Sequence, residues 1–337
     1  VIISPGIPNS SIIIKKLKTL NIPIISEIEF GFRYSKGKII AITGTNGKTT
    51  TTLLVGHILK KSGYDVLVAG NIGTSFCMSL VNRDYQYIVL EISSFQLERV
   101  NHFRPNIAII LNITPDHLDR YDFDFTKYKK TKYRISKNQI STDTLIYNSD
   151  NINANEIVTS AIKIPISLTK QIKVGGYINN NQIIININNT TMNIQDLALQ
   201  GKHNIFNSMA AAVAARVFEV KDSVIRQSMI DFQNIEHRLE HVLTVHGIDF
   251  INDSKATNIN ATWFALESMN KKVIWIAGGV DKGNDYEKLN DLVLSKVKSI
   301  ICLGNNNKNL IDSFSDKVEH IVHLSLIHIS EPTRRTI

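Results

Sequence analysis

The stretch Thr43-Gly44-Thr45-Asn46-Gly47-Lys48-Thr49-Thr50 has the residue types of a loop that wraps phosphate. The apolar run at 39–42 precedes it, and Leu53, Leu54, Ile58 and Leu59 follow at helical spacing over 49–61. Strand, tight loop and helix in that order are the context a phosphate loop needs. Glycines let backbone amides approach phosphate oxygens, and a helix N-terminus adds favourable partial charge. Lys48 is then placed for the β- and γ-phosphates, and the Thr49 hydroxyl suits Mg²⁺. One position departs from the strict pattern: Ile42 stands where glycine is expected five residues before Gly47. The correct flanks argue against a chance glycine turn.

Further chemistry-bearing residues lie near the ends of strand-like runs. Glu91 closes the run 87–92, on the sheet edge where ligands gather in parallel α/β folds, although a solvated strand end fits the residues equally well. Asp116-His117 follows the run 107–111; a lone loop histidine is ordinarily a surface residue. Lys132 sits in a basic helix expected over 125–138, whose lysines could all be solvated. Asn204 and Asn207 open an alanine-rich helix expected over 204–220, where Asn commonly serves as an N-cap. Lys255 and Thr257 lie two apart in a loop after another strand, compatible with ordinary turn polarity.

The elements that must hold these residues alternate. Strand-like runs at 66–69, 87–92, 107–111 and 144–147 are separated mostly by helical segments, which predicts a mainly parallel sheet covered by helices. Residues 172–198, rich in Asn and Ile, predict hairpins with one wet face; the Asn runs read as compositional drift without a role. A second α/β unit opens near Glu236, with strands expected at 250–252, 273–277 and 299–303. The expected fold is therefore multi-domain α/β. A central P-loop parallel sheet with helices on both faces spans 37–235. A remnant of an N-terminal domain spans 1–36, and a truncated C-terminal α/β domain spans 236–324. The tail at 325–337 fits no element and reads as non-native sequence.

Composition narrows the class. Of 337 residues, 43% are hydrophobic and 20% charged, an ordinary globular balance. No apolar run reaches spanning length and no signal peptide is visible, so no membrane insertion is expected. Cys77 and Cys302 are far apart and not in metal-like spacing, which fits a reducing, cytoplasmic setting. The net charge of +8 is spread without a nucleic-acid motif, so small anionic ligands are expected rather than nucleic acid. The chain does not begin with Met, and Val1-Ile2-Ile3 reads as the end of a strand, so an N-terminally truncated fragment is expected.

Four segments besides the loop carry a family resemblance: Leu90-Glu91-Ile92-Ser93-Ser94-Phe95-Gln96-Leu97-Glu98, Asn112-Ile113-Thr114-Pro115-Asp116-His117-Leu118-Asp119-Arg120, Asn252-Asp253-Ser254-Lys255-Ala256-Thr257-Asn258 and Gly278-Gly279-Val280-Asp281-Lys282-Gly283. With them the chain from Val1 to about Leu324 resembles the Mur ligases. The loop alone is shared with folylpolyglutamate synthases, while the second and fourth of the five stretches in chain order resemble the D-glutamate-adding branch. The Rossmann-like character of the two truncated outer domains is implied by that resemblance.

The resemblance implies ATP-dependent joining of D-glutamate to UDP-N-acetylmuramoyl-L-alanine through an acyl phosphate, in peptidoglycan precursor synthesis, by a monomer. The alternatives are another amide ligase of the Mur/folylpolyglutamate type, or an inert nucleotide-binding fragment. It implies ATP contacts at Gly44, Thr45, Asn46, Gly47, Lys48, Thr49 and Thr50. Asn204 and Asn207 would face adenine, Arg238 the nucleotide and Asp253 its ribose. Two Mg²⁺ ions would be held by Thr49, Glu91, His117 and a carbamylated Lys132. Gly6 and Asn71 would meet the UDP-sugar. His117 would also meet substrate, Lys255 would stabilise the acyl phosphate and tetrahedral adduct, and Thr257 and Lys282 would hold D-glutamate. Lys48, Glu91, His117, Lys132 and Lys255 would be the catalytic set. Segments of the family's first and last domains lie outside this pattern, so weak or no turnover is expected of residues 1–337 alone.

Overall fold

A computed structural model describes residues 1–81, 83–187, 190–199, 201–232, 239–279, 284–304 and 307–324. The chain forms two compact units, residues 1–233 and 234–337.

In the first unit, β1 (Ile2–Ile3) and β2 (Ile25–Ser26) pair in parallel as a small sheet, joined through α1 (Ile12–Thr19). The following α2 (Glu27–Tyr34) is not set apart from what comes after it. Ile28 is fully buried and packs with Phe32 against Phe76 and Phe103 in the main core. Glu29 fixes this junction: its Oε2 accepts the backbone N–H groups of Asn101, His102 and Phe103 at 2.9 Å each, and Oε1 accepts Arg33.

The main sheet holds β3 (Lys38–Thr43), β4 (Val66–Gly70), β5 (Tyr87–Glu91), β6 (Ile107–Ile110), β7 (Thr144–Asn148), β8 (Ile162–Ser167), β9 (Gly176–Asn179), β10 (Gln182–Ile185) and β11 (Thr190–Asn193). Their order is β11-β10-β9-β8-β7-β6-β3-β5-β4. All pairings from β4 to β9 are parallel; β9, β10 and β11 pair antiparallel. The near-continuous burial of β3, β5, β6 and β7 is what a parallel sheet covered on both faces requires. One face packs Ala41, Leu90, Ala108 and Leu145 against α2, α4 (Phe76–Leu80), α5 (Ser94–Leu97) and α6 (Phe125–Tyr133). The other carries α3 (Lys48–Lys61), α7 (Lys202–Val217) and α8 (Asp222–Asp231). The buried alanines 210, 211, 212, 214 and 215 let α7 lie close to its neighbours.

The Asn-rich region does join this sheet as hairpins, and part of its asparagine content has a structural reason. Asn179 pairs with Gln182, and the two residues between, Asn180 and Asn181, have φ of 44° and 60°. A two-residue turn with both φ positive is the type I′ geometry that Asn tolerates. The reading of these runs as mere drift is corrected to that extent.

The second unit starts with a hairpin of β12 (Glu240–Val245) and β13 (Ile248–Asn252), turned through His246 and Gly247 at φ of 49° and 79°. Only the later strand was expected. Then come α9 (Ile259–Glu267), β14 (Val273–Gly278), α10 (Asn290–Lys296), β15 (Val297–Leu303), α11 (Lys308–Phe314) and β16 (His320–Leu324). The last three strands form a parallel sheet whose buried side, with Ile300 and Cys302, packs on Leu266, Leu289, Val293, Leu310 and Phe314. Among the described residues no helix is long and apolar enough to cross a membrane.

Candidate active site

β3 sits between β5 and β6, and the chain leaves its C-terminal end into the loop. This is the switch point where parallel α/β sheets open a crevice. The loop is fixed from beneath. Thr43 Oγ1 donates to Ile92 O at 2.9 Å, and Thr45 N–H donates to Asn112 O at 2.9 Å. Asn112 brackets Asn46 through both its side-chain atoms, at 2.8 and 2.9 Å. Gly47 is the N-cap of α3 at φ 83°, and no side chain caps the helix there. A Cβ on Gly47 would lie 2.3 Å from Asn207 Oδ1, so both backbone and neighbour require glycine. Lys48 Nζ folds over the loop, donating to Gly44 O at 3.0 Å and Thr45 O at 2.8 Å.

Glu91, at the end of β5, is buried beside the loop. Its Oε2 accepts the Thr49 hydroxyl at 2.7 Å and its Oε1 accepts Asn71 Nδ2 at 2.9 Å. Asn71 is held further by its own N–H on Glu91 O at 2.9 Å. The preceding Gly70, at φ 99°, admits this approach: a Cβ there would meet Glu91 O at 2.3 Å.

Lys132 is 2% exposed, unlike a solvated lysine of a basic helix, and donates to Gly44 O at 2.8 Å. Burial and the Lys48 charge push its pKa well below the ordinary lysine value, against the pull of Asp116 and Glu91. Tyr128, one turn earlier on α6, is buried under it, with the ammonium 4.8 Å from the ring centre and the hydroxyl 3.1 Å from Thr45 Oγ1. Lys48, Glu91 and Asp116 are thus all close enough to act on the charge of Lys132.

His117 adopts a left-handed backbone at φ 51°, a conformation non-glycine residues hold where surroundings enforce it. Its N–H donates to Asp116 Oδ1 at 2.9 Å, its Nε2 lies 3.7 Å from Asp116 Oδ2, and its ring meets Phe95 edge-on at 5.1 Å.

The donor chemistry fits a nucleotide with Mg²⁺. A hydroxyl and a carboxylate 2.7 Å apart are hard oxygen ligands at the mouth of a phosphate loop. Among the described residues no group of three or more His, Cys, Asp and Glu makes a self-sufficient metal cage. Mg²⁺ ordinarily takes few protein ligands and fills its shell with phosphate oxygens and water.

Asn204 lies in the first turn of α7, capped by Gly201 rather than by itself, and its Oδ1 accepts Asn207 Nδ2 at 3.4 Å. Asn207 is buried against Gly47, which ties this pair to the loop. Gly6 is exposed in a turn closed by Ile7 N–H on Ser4 O at 3.2 Å. In the second unit, Asp253 Oδ1 accepts Leu239 N–H at 3.1 Å, and Lys255 and Thr257 are exposed in the loop between β13 and α9. Arg238 and Lys282 lie outside the described residues. Sequence reasoning gave no role to Asp116, Tyr128 or Asn112. The spacing of Tyr128 and Lys132, four apart on one helix face, was a usable signal.

Residues 42–215 match the profile described as the Mur ligase middle domain, and residues 237–332 the one described as Mur ligase, glutamate ligase domain. The UDP-N-acetylmuramoylalanine--D-glutamate ligase of Christiangramia forsetii is 47% identical over 325 residues, covering 95% of this chain and 73% of that protein. The enzyme of the same name from Bacteroides fragilis is 46% identical over 319 residues, 93% of this chain and 72% of its own length. Among solved structures, MurF from Acinetobacter baumannii superposes with a TM-score of 0.67 at 19% identity, over 88% of this chain and 70% of its own. The UDP-N-acetylmuramate-alanine ligase MurC from Thermotoga maritima gives 0.66 at 19%, over 96% and 76%. These structural likenesses show the shared fold. Together with the profile matches and the sequence identity to the curated ligases, they establish that the chain belongs to the Mur ligase family.

Proposed function

We propose that this protein carries out ATP-dependent ligation of D-glutamate to UDP-N-acetylmuramoyl-L-alanine through an acyl phosphate, in the cytoplasm and as a monomer. The observation that carries this reading is the meeting of Thr49, Glu91 and Lys132 at one phosphate loop, in a chain 47% identical to a ligase named for D-glutamate addition. Joining an amine to a free carboxylate requires activation, and phosphoryl transfer between anions needs cations to offset repulsion.

Loop amides and Lys48 bind the triphosphate, and Asn204 and Asn207 border the base. Mg²⁺, two ions in the full site, would be held through Thr49, Glu91 and His117 and would supply that charge neutralisation. Lys132 completes the set as a carbamate. Its buried amine, held toward the neutral form, is the species that adds CO₂; one N–H proton is lost to water as the N–C bond forms, and the product is an anion. Asn71 and Gly6 position the UDP-sugar. Asp253 and Arg238 serve the nucleotide, Lys255 stabilises developing oxyanion charge, and Thr257 and Lys282 hold D-glutamate.

The test is ADP release by the intact protein. It should require UDP-N-acetylmuramoyl-L-alanine, and amide product should form only with D-glutamate. Release indifferent to the nucleotide-sugar peptide, or product with a different amino acid only, would sink the reading.

A further inference from the structure

Arg120 is tied to three parts of the first unit at once. Its Nε and Nη2 donate to the two carboxylate oxygens of Glu98 at 2.9 and 3.0 Å, a fork-to-fork pair. Its Nη1 and Nη2 also reach Gly6 O at 3.4 Å and Ile7 O at 3.3 Å, more than a hundred residues away in the chain. The guanidinium lies 4.2 Å from the centre of the Phe95 ring, which also meets the His117 imidazole edge-on. The Arg120 backbone N–H donates to His117 O at 3.1 Å. Neighbouring Arg99 makes a parallel tie, Nη2 to Asn9 Oδ1 at 2.6 Å.

An ion pair with Glu98 alone would be met by lysine. Gripping a carboxylate, donating to two carbonyls and stacking on a ring together needs a planar five-donor fork. The carbonyls it gathers belong to the turn at residues 4–7, and the ring it covers backs the histidine. Resting on the reading of Gly6 and His117 as contacts of the UDP-sugar acceptor, we infer that Arg120 is a positioning residue. It fixes the 4–7 turn against the His117 loop and so sets where the nucleotide-sugar end of the acceptor lies relative to the phosphate loop. Among the described residues its hydrogen bonds run to Glu98, Gly6, Ile7 and His117, on the acceptor side of the site, so the effect is expected on acceptor binding rather than on nucleotide binding.

The experiment compares Arg120→Lys and Glu98→Gln with the unmodified intact protein. Loss of two charge-assisted carbonyl contacts predicts a KM for the acceptor raised about tenfold or more in Arg120→Lys, with KM for ATP within about twofold. Glu98→Gln, which keeps the arginine but weakens its grip, should shift the acceptor KM in the same direction by less. Hydrogen exchange at the Ile7 amide should quicken in both. Equal rises in both KM values, a fall in kcat alone, or unchanged exchange over residues 4–8 would overturn the inference. If the unmodified protein consumes no acceptor, the proposed function fails, and exchange alone decides whether Arg120 holds the turn.

Discussion

Glu29 makes a quantitative test of how the first helices are joined to the nucleotide-binding body. Its side chain is fully buried, yet it is held as a carboxylate. Burial alone would raise its pKa, but the N–H groups of Asn101 and His102, the Arg33 guanidinium and the Phe103 N–H outweigh that and leave it lowered. Glu29→Gln keeps the shape and removes the fit. An amide can present its oxygen either to the three backbone donors or to Arg33, and its NH₂ must then face donors at the other end. Losing two bonds to a charged group, at about 1.5–3 kcal/mol each, less the relief of burying no charge, gives a destabilisation of about 3 kcal/mol. For a unit of this size that lowers Tm by about 6–12 °C.

Calorimetry across pH checks both size and cause. A carboxylate whose native pKa is lowered adds stability that is present above its unfolded value of about 4.3 and is lost as pH falls through the native value. The gap in Tm between wild type and Glu29→Gln should therefore be full at neutral pH and shrink in acid. A gap under about 2 °C at pH 7, or one that does not narrow in acid, would refute the argument.

Three further outcomes concern the site. Gly47→Ala should lower ADP affinity tenfold or more by calorimetric titration, because about 1–2 kcal/mol of left-handed strain is joined by a clash with Asn207. Gly63→Ala, at φ 86° with open space around it, is the control that keeps affinity. Glu91→Gln should remove the enhancement of nucleotide binding by Mg²⁺, a loss of about 10–100-fold when titrations with and without the ion are compared. Lys132→Ala should cut turnover of the intact protein about 100-fold or more, with partial recovery on adding short-chain carboxylic acids; full activity would remove the carbamate from the mechanism.

What could be read from sequence is what lies within a contiguous stretch. The run from β3 through Gly47 into α3 announces itself because strand, glycine and helix signals adjoin, and the parallel sheet followed from alternating runs with matched burial. The β12 strand was missed because the exposed hairpin has no buried face to give a periodic signal, and its register is set by the positive φ of His246 and Gly247. Composition alone does not tell Lys132 from Lys127, Lys129 and Lys130 in one basic helix; the resemblance to the Mur ligases singled it out. Only packing decides that Lys132 alone among these four is buried, over Tyr128 and under Gly44.

The harder part to foresee is how one carboxylate comes to serve two sides of the site. Glu91 receives Thr49 from the loop and Asn71 from the next strand connection, and neither partner is near it in sequence. The sharing depends on β4 lying beside β5, so that Gly70 pairs with Glu91 in register and only hydrogen fits in the gap. A larger residue at 70 would push Asn71 away from the carboxylate while leaving every motif residue in place. Motifs thus record which groups act, whereas the distances between them are set by strand order and by glycines that no catalytic pattern includes.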